Sequence, residues 1–144
     1  MSQIFTKRIL LGTGLGLLFG LLCFTGFSTS PDIPAGLAQW QKWSWSNAMM
    51  WSTIINRMTL GIVVALAGTV TRSLFFNFKI SPIIRGAKMG MLISLPLALG
   101  TLMGTDADLA QKSFWIVFIA GGVIGMIIDL IITKLAGEGR ELLS

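Results

Sequence analysis

Residues 9–27, ILLGTGLGLLFGLLCFTGF, contain no charged side chain. At 1.5 Å per residue this run is about 28 Å long, close to the thickness of a bilayer's hydrocarbon core. Three further apolar runs follow, near 48–71, 83–104 and 113–133. Charged residues make up 12% of the chain and hydrophobic residues 53%. A soluble domain carries about 25% charge, so too few charges remain to cover a water-facing surface. The reading is an all-α integral membrane bundle of four transmembrane helices, one membrane domain over residues 1–144.

The first run has a rival reading. Lys7 and Arg8 precede it and Ser28-Thr29-Ser30 follows it, the outline of a secretory signal with a small-residue cleavage site. A signal core spans about 7–15 residues, and this run is longer, so a retained span is expected. A lipid anchor at Cys23, the chain's one cysteine, is disfavoured because Leu22 before it is not small.

Residues 28–47 hold Pro31, Pro34 and Gly36 and read as a loop. Leu37 to Asn47 is expected to lie flat as a short interfacial helix. Trp40, Trp43, Trp45 and Trp51 cluster here, and Trp115 opens the last span. Tryptophan favours the membrane boundary, where its ring is buried and its N–H stays wet. In the third run Pro96 removes a backbone donor and should kink the helix near Leu92. Arg85 and Lys88 there are expected to snorkel toward water. Residues 105–112, TDADLAQK, read as a short polar turn, and Lys134 closes the last span.

The basic residues set the orientation. With the N-terminus inside, Lys7, Arg8, Arg72, Lys79, Arg85, Lys88, Lys134 and Arg140 fall on the cytoplasmic side. Only Lys42 and Lys112 fall outside. The positive-inside rule therefore places both termini in the cytoplasm, in a cell membrane, the bacterial cytoplasmic membrane being the expected one. The same clustering at span ends explains the net charge of +5 without nucleic acid, which would require a solvated basic patch with stacking aromatics.

Small residues recur at helical spacing. Gly12, Gly16 and Gly20 share one face, and so do Gly121, Gly125 and Asp129. Arg57, Gly61, Ala65 and Gly68 form a third face; Gly90 and Ser94 a fourth, followed by Gly100 and Gly104. Small-xxx-small faces let helix backbones come close. Two ionisable residues lie inside spans, Arg57 (beside Asn56) and Asp129. A charge at the bilayer centre costs about 2.5–3.5 kcal/mol on insertion scales, so both should face the bundle interior. Their depths differ by roughly 9 Å at 1.5 Å per residue. Asp129 is therefore expected to join a cytoplasmic-side cluster with Arg72, Arg85 and Lys88. Arg57 is expected to find carbonyls, water or outer headgroups.

Enzymatic readings find little support. The chain has no histidine, which removes the commonest general base and metal ligand, and no HExxH, GxSxG or phosphate-binding glycine loop occurs. No catalytic residue, metal or cofactor is expected. The sequence instead favours a protein that acts by helix association, with itself or with another membrane protein, in a lipid bilayer. The alternative is a small channel or transporter for an anion or lipid-like solute, using Arg57 and Asp129. The topology has a direct test: reporter fusions after Ser30 and Ala107 will be active outside the membrane, and fusions after Ser81 and Ser144 inside. An outside-active reporter at Ser81 or Ser144 would overturn it.

Overall fold

A computed structural model describes residues 3–31, 33, 35–70, 80–103 and 106–137. Every regular element in it is helical. In chain order these are α1 (Gln3–Thr29), α2 (Ala35–Ala38), α3 (Ala48–Ala67), α4 (Pro82–Thr101) and α5 (Ala107–Ala136). Four of them, α1, α3, α4 and α5, are long and apolar enough to cross a membrane. The two 20-residue helices α3 and α4 are about 30 Å long, one hydrocarbon thickness. The chain is a multi-pass membrane protein with its four long helices packed together.

The helix starts are written locally. Asn47 caps α3, its side chain accepting from the backbone N–H of Met49 at 2.9 Å and Met50 at 3.2 Å. Its amide nitrogen donates back to the carbonyls of Trp40 and Lys42, both at 2.6 Å. Ser81 caps α4 with Pro82 in the first turn, where a missing N–H costs nothing. Asp106 caps α5 by accepting from Leu109 N–H at 3.1 Å, and Asp108 adds negative charge to that first turn.

Two expectations about local structure are corrected. Of the stretch Leu37 to Asn47 only Leu37 and Ala38 are helical, at the end of α2; Gln39 to Asn47 is a series of turns and bends, because Asn47 ties the chain back onto Trp40 and Lys42. The polar stretch 105–112 is not a turn throughout: α5 begins at Ala107, since Asp106 is a strong N-cap. The tryptophans stay exposed. Trp43 meets Phe24 edge-on at 4.7 Å, and Trp45 lies 5.6 Å from Trp51, whose Nε1 donates to the Trp45 carbonyl at 2.9 Å.

The helices associate as two intimate pairs. α1 runs along α3, and α4 along α5. Along α1 the buried positions are Phe5, Arg8, Gly12, Gly16, Gly20 and Phe24, one stripe at helical spacing. The opposite face exposes Leu10, Leu17, Leu18, Leu21 and Leu22, as suits contact with lipid. Gly12 lies on the Gly61 backbone, Gly16 on the Arg57 and Met58 backbone, and a β-carbon on Gly20 would stand 2.9 Å from Ile54 Cα. In the second pair Gly86 and Gly90 meet Gly125 and Gly121 backbone to backbone, and Gly121 also seats the Ser94 side chain. Gly100 departs from this pattern and looks onto open space. Gly104 lies outside the described residues. Between the pairs, Leu60, Val64 and Ala65 of α3 pack on Ile124, Ile128, Ile132 and Ala136 of α5.

α4 passes through Pro96 as one helix. Proline leaves the Leu92 carbonyl without its usual donor, and the neighbouring Ile93 carbonyl takes a hydrogen bond from Asn56 Nδ2 at 2.7 Å.

Close backbone contact predicts a position-dependent response. Gly16→Ala forces a β-carbon onto the α3 backbone and should lower stability by about 1–3 kcal/mol, the usual cost of overpacking. Gly14→Ala, with nothing within 4 Å, should be neutral or gain up to about 1 kcal/mol from helix propensity. Thermal unfolding in detergent separates the two; equal behaviour would refute the backbone-contact account.

Candidate functional site

Among the described residues two charged centres lie inside the bundle, and they differ in how their charge is satisfied. The first sits at the end that carries the N-terminus. Asp129, fully buried on α5, holds two arginines. Arg85 of α4 grips it in a fork, Nε to Oδ2 at 2.8 Å and Nη2 to Oδ1 at 3.0 Å. Arg8 of α1 donates from Nη2 to Oδ1 at 2.8 Å. Thr133, one turn further along α5, donates to Oδ1 at 3.2 Å and accepts from Arg8 Nη1 at 3.4 Å and Arg85 Nη2 at 3.3 Å.

One carboxylate offsets one of the two cations. The second is met by helix ends. Arg8 Nε donates to the Ala65 carbonyl in the last turn of α3 at 2.8 Å, and Nη1 to the Gly137 carbonyl just past α5. Arg85 Nη1 reaches the Val70 carbonyl beyond α3 at 3.3 Å. Carbonyls at helix C-termini lack intrahelical partners and carry the negative end of the dipole. Gly137 has φ 71°, the left-handed region, and a residue with a β-carbon would be strained there. Gly68 gives the guanidinium of Arg8 its seat: a β-carbon on Gly68 would collide with it.

Three expectations are revised here. Arg85 does not snorkel; it is 4% exposed and bound to Asp129. Lys88 stays exposed, away from the cluster, and Arg72 lies outside the described residues. Arg8, read from the sequence as a flanking charge, is instead a fully buried member. The signal was present: Arg8 precedes Gly12, Gly16 and Gly20 at the same four-residue step, on their face of α1.

The second centre is Arg57, near the middle of α3 and 2% exposed. It does not reach Asp129. Its Nη1 donates to the Ser94 hydroxyl of α4, while Nε has no hydrogen-bond partner. Among the described residues no carboxylate forms an ion pair with Arg57. The amide oxygen of the adjacent Asn56 is also buried without a partner.

Arg57 lines a cavity of about 320 Å³ at the tryptophan-bearing end. Cys23 and Phe27 of α1, Met49 of α3, Leu97 of α4, and Ile116 and Val117 of α5 supply apolar wall. Thr53, Thr101 and Ser113 add hydroxyls, and Ser30, Ile33 and Leu37 carry the lining out to the first loop. The volume falls at the low end of the about 300–1,000 Å³ typical of small-molecule sites. Among the described residues no three His, Cys, Asp or Glu side chains gather as a metal-binding group. A buried cation with one hydroxyl partner, facing apolar wall, is an arrangement that can hold an anion.

The two centres call for different mutational outcomes. Removing Asp129 strands two buried arginines, whereas removing Arg8 leaves a neutral Arg85–Asp129 pair. Asp129→Asn should therefore cost about 3–5 kcal/mol, the range for breaking a buried pair, and Asp129→Leu at least as much. Arg8→Gln should cost less than either. Thermal unfolding in detergent checks the order; an Asp129→Leu protein as stable as the parent would remove the cluster from the account of stability. Compared with protein-family models, curated proteins and solved structures, the chain shows no match.

Proposed function

We propose that this protein binds an anionic solute within the membrane, in the cavity at Arg57, and acts as a small non-catalytic carrier or binding protein for it. The observation that carries the reading is the incomplete satisfaction of Arg57. A buried guanidinium costs several kcal/mol unless paired and hydrogen-bonded. At the other end of the same bundle two arginines are fully engaged by a carboxylate, a hydroxyl and helix-end carbonyls. At Arg57 the described residues offer a single hydroxyl. A bound anion would supply what is missing.

Asp129 takes no part in this reading as a coupling carboxylate, because its oxygens are committed to Arg8, Arg85 and Thr133. Association with a second copy or another membrane protein has less to support it than the sequence suggested. The glycine faces that raised it pack within the chain, α1 on α3 and α4 on α5. The distribution of basic residues supports a cytoplasmic membrane with both termini inside, which puts the cavity in the outer half.

Arg57→Met tests the proposal. If Arg57 serves a ligand, the variant should lose anion binding and anion flux in proteoliposomes. Its thermal stability without ligand should match or exceed the parent, since a buried unpaired charge has been removed. If Arg57 is structural, stability should instead fall by several kcal/mol, in the range for a broken buried pair. That outcome, with flux retained in the folded fraction, would refute the reading.

A further inference from the structure

The way Arg57 is used narrows the ligand, given the anion site proposed above. The guanidinium has five N–H donors in a fixed planar fork. Nη1 faces Ser94, on α4. Nε, on the side edge of the group, is without a partner and closed to a water-sized atom in this arrangement, so a ligand oxygen reaches it by a small turn of the guanidinium into the cavity that Arg57 lines. That edge, Nε together with Nη2, is the one that meets two oxygens of an oxoanion in parallel. Within the chain, Arg85 shows the same chemistry: it holds Asp129 through Nε and Nη2, at 2.8 and 3.0 Å. A spherical halide cannot satisfy two parallel donors in this way.

The walls describe the rest of the molecule. Beside Arg57 the cavity is lined by Phe27, Met49, Leu97, Ile116 and Val117. A fully hydrated anion would gain nothing from this surface. Burying an apolar body against it contributes about 25 cal/mol per Å². The volume of about 320 Å³, at the low end for ligand sites, suits one short chain better than a two-chain lipid. We infer that the ligand is a single-chain amphiphile with an oxoanion head, a carboxylate or phosphate monoester, bound head-first with two oxygens on the Nε edge of Arg57.

The chain provides its own reporter. Cys23 lines this cavity and is the only cysteine in the sequence, so a thiol reagent reads one site. The experiment measures the rate at which a small maleimide labels Cys23 in the purified full-length protein in lipid nanodiscs. The competitors are octanoate, octyl phosphate, octanol, acetate and chloride, and nanodiscs enriched in phosphatidylglycerol form a separate arm. Octanoate or octyl phosphate should slow labelling, with octanol, acetate and chloride at least tenfold weaker. If only one of the two octyl oxoanions protects, it names the head. Arg57→Lys keeps the charge but loses the fork. It should weaken protection about tenfold or more, the value of one hydrogen bond to a charged group. An unchanged melting temperature in Arg57→Lys shows that the fold is intact; if that variant does not fold, Arg57→Gln takes its place with the same expectation.

The outcomes separate the two levels of the argument. Equal protection by chloride or acetate, or by octanol, overturns the amphiphile assignment and leaves the anion site or an apolar pocket in its place. Protection in phosphatidylglycerol nanodiscs without added octyl compound overturns the single-chain assignment in favour of a lipid headgroup. An Arg57→Lys protein protected as well as the parent overturns the bidentate contact. No protection by any anion overturns the anion site itself.

Discussion

The structure depends on one shared carboxylate. Asp129 is the only acidic side chain within the apolar runs 9–27, 48–71, 83–104 and 113–133, and it holds Arg8 and Arg85 with no exposure of its own. Through those arginines it ties α1 and α4 to α5, and through their further bonds it reaches Ala65 in the last turn of α3 and Val70 just beyond that helix. Four helices are thus fastened at one end by a group that lipid cannot replace. In hydrocarbon an unmet charge has no water to turn to, so each partner is held in place by the cost of losing the other.

That fastening works because the helices can approach so closely. Apolar side chains alone give little specificity in a bilayer, where lipid tails are as apolar as leucine. Glycine-to-glycine contact along α1–α3 and α4–α5 brings backbones together and fixes the rotation of each helix. The rotation that puts Gly12 on Gly61 is also the one that turns Arg8 inward, one helical step away. The rotation that puts Gly86 and Gly90 on α5 turns Arg85 toward Asp129. Packing and charge placement are therefore one event.

The opposite end is built differently. There the polar centre is Arg57, shared between the pairs through Ser94, with Asn56 bonded to α4 beside it. No acidic side chain among the described residues answers it, and the space next to it is cavity rather than packed core. One end of the bundle is closed by a carboxylate, a hydroxyl and helix-end carbonyls that together meet both arginines, and the other holds a cation that no carboxylate among the described residues meets. A protein that binds a negatively charged molecule within the membrane would have reason to keep this asymmetry.

Much of this was determined by the sequence alone. Apolar runs of bilayer length set the spans, because a helix satisfies its backbone within one segment in hydrocarbon. The four-residue glycine step set which face of each helix packs, since periodicity is a property of one helix. The unequal depths of Arg57 and Asp129 followed from counting residues. The tertiary structure decided which face meets which. Arg8 and Asp129 are 121 residues apart, and no local pattern records that one is the other's partner. Gly100 and Gly125 look alike in sequence, yet one faces open space and the other a neighbouring backbone, because only the neighbour's position distinguishes them. The loop before α3 took its turns from Asn47, whose amide reaches back to the Trp40 and Lys42 carbonyls, rather than from its own helix propensity. Arg57 stands apart from Arg8 and Arg85 for the same reason: three buried arginines have one chemistry, and the three-dimensional arrangement gives two of them a carboxylate and helix ends and gives the third a cavity.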